Sequence, residues 1–185
     1  MTHSAAAQAA EKRIELRVDR ISQLFNMLDP FPFRERDIDA EAEAFIVGWA
    51  RELPRDARIG IVVHLPLDEA AAPEARALAE SMAHYFAAQE NALAGELREL
   101  FRIGRLSLAI GCVVLAVCLA AARLIAGMTG LERFYGFASE GLLILGWVAL
   151  WRPMEIFLYD WWPIAQRRRL YRRLAQARIE VVPVP

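Results

Sequence analysis

The chain of 185 residues is poor in the side chains on which most catalytic and metal chemistry depends. It has 2 cysteines and 3 histidines. Cys112 and Cys118 both lie in an apolar stretch. Their spacing puts them about 120° apart on a helix, so they cannot bridge each other there. They read as small apolar fillers, and no disulfide framework is expected. His3, His64 and His84 fall into no HExxH pattern and no Cys/His zinc spacing. The phosphate-binding patterns GxGxxG and GxxxxGK[ST] are missing, as is the nucleophile elbow GxSxG. A non-enzymatic protein is therefore expected, with no catalytic residue, cofactor or metal. Lysine is also scarce, since Lys12 is the single one among 22 basic residues. Charge of one sign is lacking overall, with a net of -1. That excludes a globally basic nucleic-acid binder, and no nucleic-acid partner is expected. A hydrophobic content of 56% excludes a disordered chain.

The small net charge conceals two opposite halves. Residues 1–100 carry 18 acidic and 11 basic side chains, whereas residues 101–185 carry 5 and 11. The second half is also the greasy one. Leu106 to Ala122 is an uncharged run, LSLAIGCVVLAVCLAAA. Extended to Ala126, it covers roughly 30 Å as a helix, the thickness of a bilayer core. A second apolar segment, about 138–160, contains Arg152, Pro153 and Glu155 and ends near Trp161 and Trp162. Paired tryptophans there match an interfacial belt. Pro153 removes a backbone donor, so a kink is expected near it. A helix ending at Trp151, followed by an interfacial helix, is the alternative. Arginines flank both spans on the same side, with Arg98, Arg102 and Arg105 before the first and Arg167 onward after the second. The positive-inside rule then puts both termini in the cytoplasm, with the bacterial inner membrane as the expected location. The first twenty residues are charged and lack an apolar core, so no cleavable signal peptide is expected.

The acidic half patterns as a folded module. Ile14, Leu16 and Val18 alternate with charged residues, which predicts a short strand. Ile21, Leu24, Phe25 and Leu28 follow at helical spacing. After the breakers Pro30 and Pro32, Asp37 or Asp39 can cap a helix. Ala42, Phe45, Ile46, Trp49 and Leu53 form one apolar stripe on that helix. Arg58 to Leu65 is β-branched and predicts a second strand. From Pro73 a helical pattern runs without a strong breaker into the first span. Residues 178–182 are either a third strand or a frayed tail. The expected fold is an α+β membrane protein. A βαβ-like cytoplasmic domain (1–72) leads through a linking helix (73–104) to a two-span hairpin (105–160). A basic juxtamembrane helix and a strand or tail (161–185) follow.

Several residues invite functional readings. Arg152, Glu155 and Asp160 lie at or near membrane depth, where an unpaired charge costs about 3 kcal/mol. Arg152 and Glu155 are spaced to pair on one helix face. An antiparallel hairpin also brings Arg105 towards Asp160 or Glu155, and Arg123 towards Glu140. These charges either fix the hairpin register or line an ion path in an oligomeric channel or transport subunit. Ala109, Cys112, Ala116 and Ala120 form a small-residue stripe that permits close helix approach, within the chain or between copies. Arg167, Arg168, Arg169, Arg172 and Arg173 make a basic patch suited to anionic lipid headgroups or an acidic partner. Phe31, Phe33, Arg34, Asp37 and Asp39 are a candidate docking surface for a protein partner. The expected function is an anchor, scaffold or regulatory subunit acting through protein contacts, as a homo-oligomer or with a protein partner.

Overall fold

The structure, a computed structural model, describes residues 12–26, 36–54, 57–126 and 132–184. The element order is strand β1 (Lys12–Arg17), a 3-10 turn (Ile21–Leu24), helix α1 (Ala40–Glu52), strand β2 (Ile59–Pro66) and short helix α2 (Leu67–Ala70). Helix α3 (Pro73–Ala126), helix α4 (Glu132–Glu155), a π-helical segment (Ile156–Asp160), helix α5 (Trp161–Ala175) and strand β3 (Arg178–Val184) follow. The chain divides into two compact units, Met1–Ala92 with Gln166–Pro185, and Leu93–Ala165.

The first unit is built on a parallel sheet in the order β1-β2-β3. In β1 only Ile14 and Leu16 are buried, so the strand has one covered and one wet face. In β2, Ile59 to Val63 and Leu65 are all buried. That unbroken burial belongs to a central parallel strand covered on both faces. β3 settles the alternative left open at the C-terminus. Arg178 to Val184 pair with Gly60 to Pro66 as the third strand.

Helix α1 starts at Asp39, whose carboxylate accepts from the Glu41 N–H at 3.0 Å. Glu41 and Glu43 sit in its first turn, where the helix dipole favours negative charge. Its buried face is Ile46, Val47 and Ala50, which corrects the expected stripe. Phe45 and Trp49 are 46% and 51% exposed. Both arcs of the helix are apolar, and only the one carrying Ile46, Val47 and Ala50 reaches the core. In α3, Ala75, Leu78, Met82 and Phe86 repeat along one face and are buried. Phe86 meets Tyr171 of α5 with ring centroids 6.2 Å apart. The expected helix through Ile21, Leu24 and Phe25 is a single 3-10 turn, after which Phe25 bridges Ile38 in antiparallel fashion.

The second unit holds the apolar portions of two long helices. Pro73–Leu124 and Ser139–Ala175 are both long and apolar enough to cross a membrane. On α3 the buried positions are Gly104, Gly111 and Cys118, seven residues apart. This is the period of a helix-packing seam. Facing them on α4 are Gly146 and Pro153, also seven apart, and then Ile156. A Cβ on Gly111 would lie 2.8 Å from the Ala149 carbonyl oxygen, and one on Gly104 2.8 Å from Ile156 Cγ2. Ala149 is the residue whose carbonyl Pro153 leaves without its usual helical donor. Gly111 lets the neighbouring backbone close over that oxygen. The alanines of the expected small-residue stripe, Ala109, Ala116 and Ala120, are exposed together with Cys112, so the intrachain seam is the glycine one. Pro153 lies inside α4, and the irregularity comes just after it as the π-helical segment. Trp161 Nε1 donates to the Phe157 carbonyl at 2.9 Å and satisfies one acceptor in that segment.

Candidate functional site: ionic clusters and an exposed aromatic face

In the second unit Arg152 is the hub of a charge cluster. It reaches Glu155 at 3.2 Å and Asp160 at 3.1 Å. Trp151 Nε1 also donates to Glu155, at 2.9 Å. The α4 helix places Arg152 and Glu155 one turn apart, and the wider π turn carries Asp160 back towards the same guanidinium. One arginine thus serves two carboxylates. The expected cross-hairpin pairing through Arg105 does not occur, because both carboxylates are held locally. Arg105 instead lines a shallow cleft on α3 with Arg98, Arg102 and Phe101. Arg123 and Glu140 are exposed and make no ion pair with each other. They stand on different helices, with no local spacing to bring them together.

In the first unit the basic run is partly committed within the protein. Glu90 of α3 receives Arg172 at 2.7 Å and Arg168 at 3.5 Å. The hydrogen bond from Arg172 holds the Glu90 carboxyl below its usual range. Arg173 donates to the backbone carbonyls of Pro54 and Ala57 at 2.8 and 2.9 Å. Arg167 and Arg169 remain exposed. Beside this clasp, Glu43 of α1 accepts from Tyr85 at 3.0 Å and from Tyr171. Burial, reinforced by Glu43, pushes both phenols above their usual range. The node ties α1, α3 and α5 together. Sequence reasoning missed Glu43, Glu90, Tyr85 and Tyr171, because their partners are far apart in the chain.

The expected docking surface is only partly described. Phe31, Phe33 and Arg34 lie outside the described residues. Asp39 is the α1 cap, and the Asp37 carbonyl accepts from the Asn26 N–H at 2.8 Å. On the helix that Asp39 caps, Phe45 and Trp49 are an exposed aromatic pair, with ring centroids 6.2 Å apart. Gly48 beside them faces open space. Among the described residues no group of three His, Cys, Asp or Glu side chains is placed to hold a metal ion. No protein-family model, curated protein or solved structure matches the chain.

Proposed function

We propose that this is an integral protein of the bacterial inner membrane, non-enzymatic, whose cytoplasmic module anchors or scaffolds a protein partner. The observation that carries the topology is the sheet. β2 precedes both apolar helices and β3 follows them, yet the two strands are hydrogen-bonded neighbours. Strands of one sheet occupy one side of a membrane, so the chain between them crosses an even number of times. The arginines before the first span and after the second make that side the cytoplasm. Phe45 and Trp49 support a docking role, since paired aromatics exposed at this level favour interfaces. The exposed stripe of Ala109, Cys112, Ala116 and Ala120 supports contact with a second copy within the bilayer. Anionic lipids are the other expected partner.

A channel or transport subunit using Arg152 and Glu155 is the competing reading. The pairing of Arg152 with both Glu155 and Asp160 weighs against it, because the charges are spent on each other. The test has three arms on the full chain in bacterial cells. Alkaline carbonate should leave the chain in the membrane. A fluorescent-protein fusion after Pro185 should glow, as cytoplasmic fusions do. A photo-crosslinker at Trp49 should give a discrete adduct that the same label at Arg76 does not. Release by carbonate, a dark fusion or identical labelling at both positions overturns the proposal. A ring-shaped oligomer with Glu155 facing its axis would favour the channel.

A further inference from the structure

We infer that Arg98, Arg102 and Arg105 on α3 form a binding site for the phosphate of an anionic phospholipid. The inference rests on the membrane reading above and deepens it. The three arginines recur at i, i+4 and i+7, so their side chains leave the helix within an arc of about 60°. They line one cleft of about 590 Å³ with Gly95, Glu99 and Phe101. All are exposed, and the uncharged run starts at Leu106, directly after Arg105. At about 1.5 Å per residue, Arg102 lies roughly 4.5 Å and Arg98 roughly 10.5 Å beyond Arg105. The headgroup layer is about 5–7 Å deep on each side of a bilayer. The backbones of Arg105 and Arg102 therefore fall inside that layer, and Arg98 lies about 4 Å beyond its outer edge, from which its long side chain can reach back.

The charges are also available. Arg105 has no ion pair, and Arg98 commits only Nε, to the Ala94 carbonyl at 3.3 Å. Arg102 is held by Glu99 at 2.7 Å, which orients its guanidinium without neutralising the other two. Guanidinium groups bind phosphate oxygens in pairs, with matched planar geometry. Phe101 supplies an apolar wall, braced by stacking on Phe157 at 6.1 Å. A phosphate carrying a glycerol and acyl chains fits this combination, because the chains continue inward along the exposed Leu106, Ile110 and Val113; a free phosphate would leave that apolar run unused. The basic run of α5 is the weaker lipid site, because Arg168 and Arg172 are occupied by Glu90 and Arg173 by backbone carbonyls.

The experiment uses the full chain purified in a mild detergent and titrated with phosphatidylglycerol or phosphatidylcholine of equal acyl length. Binding is read by native mass spectrometry. The wild type should prefer phosphatidylglycerol. The double variant Arg102→Gln with Arg105→Gln should lose about 30-fold in affinity for it, from the usual strength of an arginine near a charged headgroup. The charge-keeping pair Arg102→Lys with Arg105→Lys should lose less, which guards against a folding artefact. The pair Arg167→Gln with Arg169→Gln, on the weaker α5 site, should lose far less than the Arg102 and Arg105 pair. The inference is overturned if the α5 pair carries the loss, if both lipids bind equally, or if millimolar inorganic phosphate displaces the lipid. Carbonate extraction separates the two levels. A chain that stays in the membrane but shows no lipid preference refutes only the site, and a chain that is released refutes the membrane reading.

Discussion

Replacing Gly111 with alanine should destabilise the helical pair, although the same change at Gly95 of α3 should be stabilising. The added Cβ would stand 2.8 Å from the Ala149 carbonyl oxygen and 2.9 Å from Leu150 Cδ2. An ordinary contact is about 3.4 Å, so the seam must open by roughly 0.6 Å. The oxygen belongs to backbone and cannot rotate aside. Overpacking of this kind costs about 1–3 kcal/mol. Alanine returns at most about 1 kcal/mol in helix propensity. The net loss is then up to about 2 kcal/mol with the full propensity gain returned. Gly95 lies in the same helix and has nothing within 4 Å of the Cβ position. There alanine should gain about 0.5–1 kcal/mol. Gly146→Ala should fall between them, because its nearest obstacle is the movable Leu115 Cδ1 at 2.5 Å. Equilibrium unfolding of the full chain in mixed micelles, followed by tryptophan fluorescence, gives the three values. A Gly111→Ala protein as stable as the Gly95→Ala protein would refute the glycine seam.

Three further outcomes follow from the first unit. Ser81 is 1% exposed and its hydroxyl has no hydrogen-bond partner, so Ser81→Ala should raise stability by about 1 kcal/mol in chemical denaturation. Glu90 has a folded-state pKa below its unfolded one, so between the two values the unfolded chain binds more protons. Its contribution is present above the ordinary carboxylate range, about 4.3, and is lost as pH falls further. A stability–pH profile of Glu90→Gln should be flatter there than that of the wild type. Tyr85 and Tyr171 are raised, so the folded chain keeps protons that the unfolded chain loses above about pH 10. Stability should fall from that pH upward, and Tyr85→Phe should reduce the fall, while ultraviolet titration should show tyrosinate forming late.

What the sequence disclosed depended on the range of each interaction. β2 was legible because a run of β-branched residues leaves few alternatives, and Asp39 because capping is a local bond. The length of α3 was legible because nothing between Pro73 and Ala126 breaks a helix. Strand β3 was undecided, since a short edge strand is defined by its neighbour and not by its own pattern. Phe45 and Trp49 misled because α1 is apolar on two arcs, and periodicity cannot say which arc meets the sheet. The seam was missed for a similar reason. Alanines at 109, 116 and 120 suggest close approach as plainly as glycines at 104 and 111, and only the facing Ala149 carbonyl distinguishes them. Hairpin geometry offers Arg105 two carboxylates, but Arg152 reaches both along its own stretch of chain. Glu90 had no signal, because Arg168 and Arg172 on α5 lie beyond both apolar helices, and Glu43 was legible only as a first-turn carboxylate of α1, since its partners Tyr85 and Tyr171 sit on other helices.

That separation gives the fold its logic. Parallel neighbouring strands need a crossover connection, normally one helix. Between β2 and β3 the crossover contains both apolar helices. Closure entropy grows only logarithmically with loop length, so a long insertion is cheap to carry. It still has to be offset by contacts where the chain leaves and returns. Those contacts are present: Phe86 against Tyr171, Tyr171 on Glu43, and Arg168 and Arg172 on Glu90. The buried β2 strand needs β3 to satisfy its second edge, since unpaired buried backbone groups are costly. β3 can arrive only after the second apolar helix has been made. Completion of the sheet is thereby tied to synthesis of both apolar helices, so that the three-stranded sheet closes only in a chain that has made them.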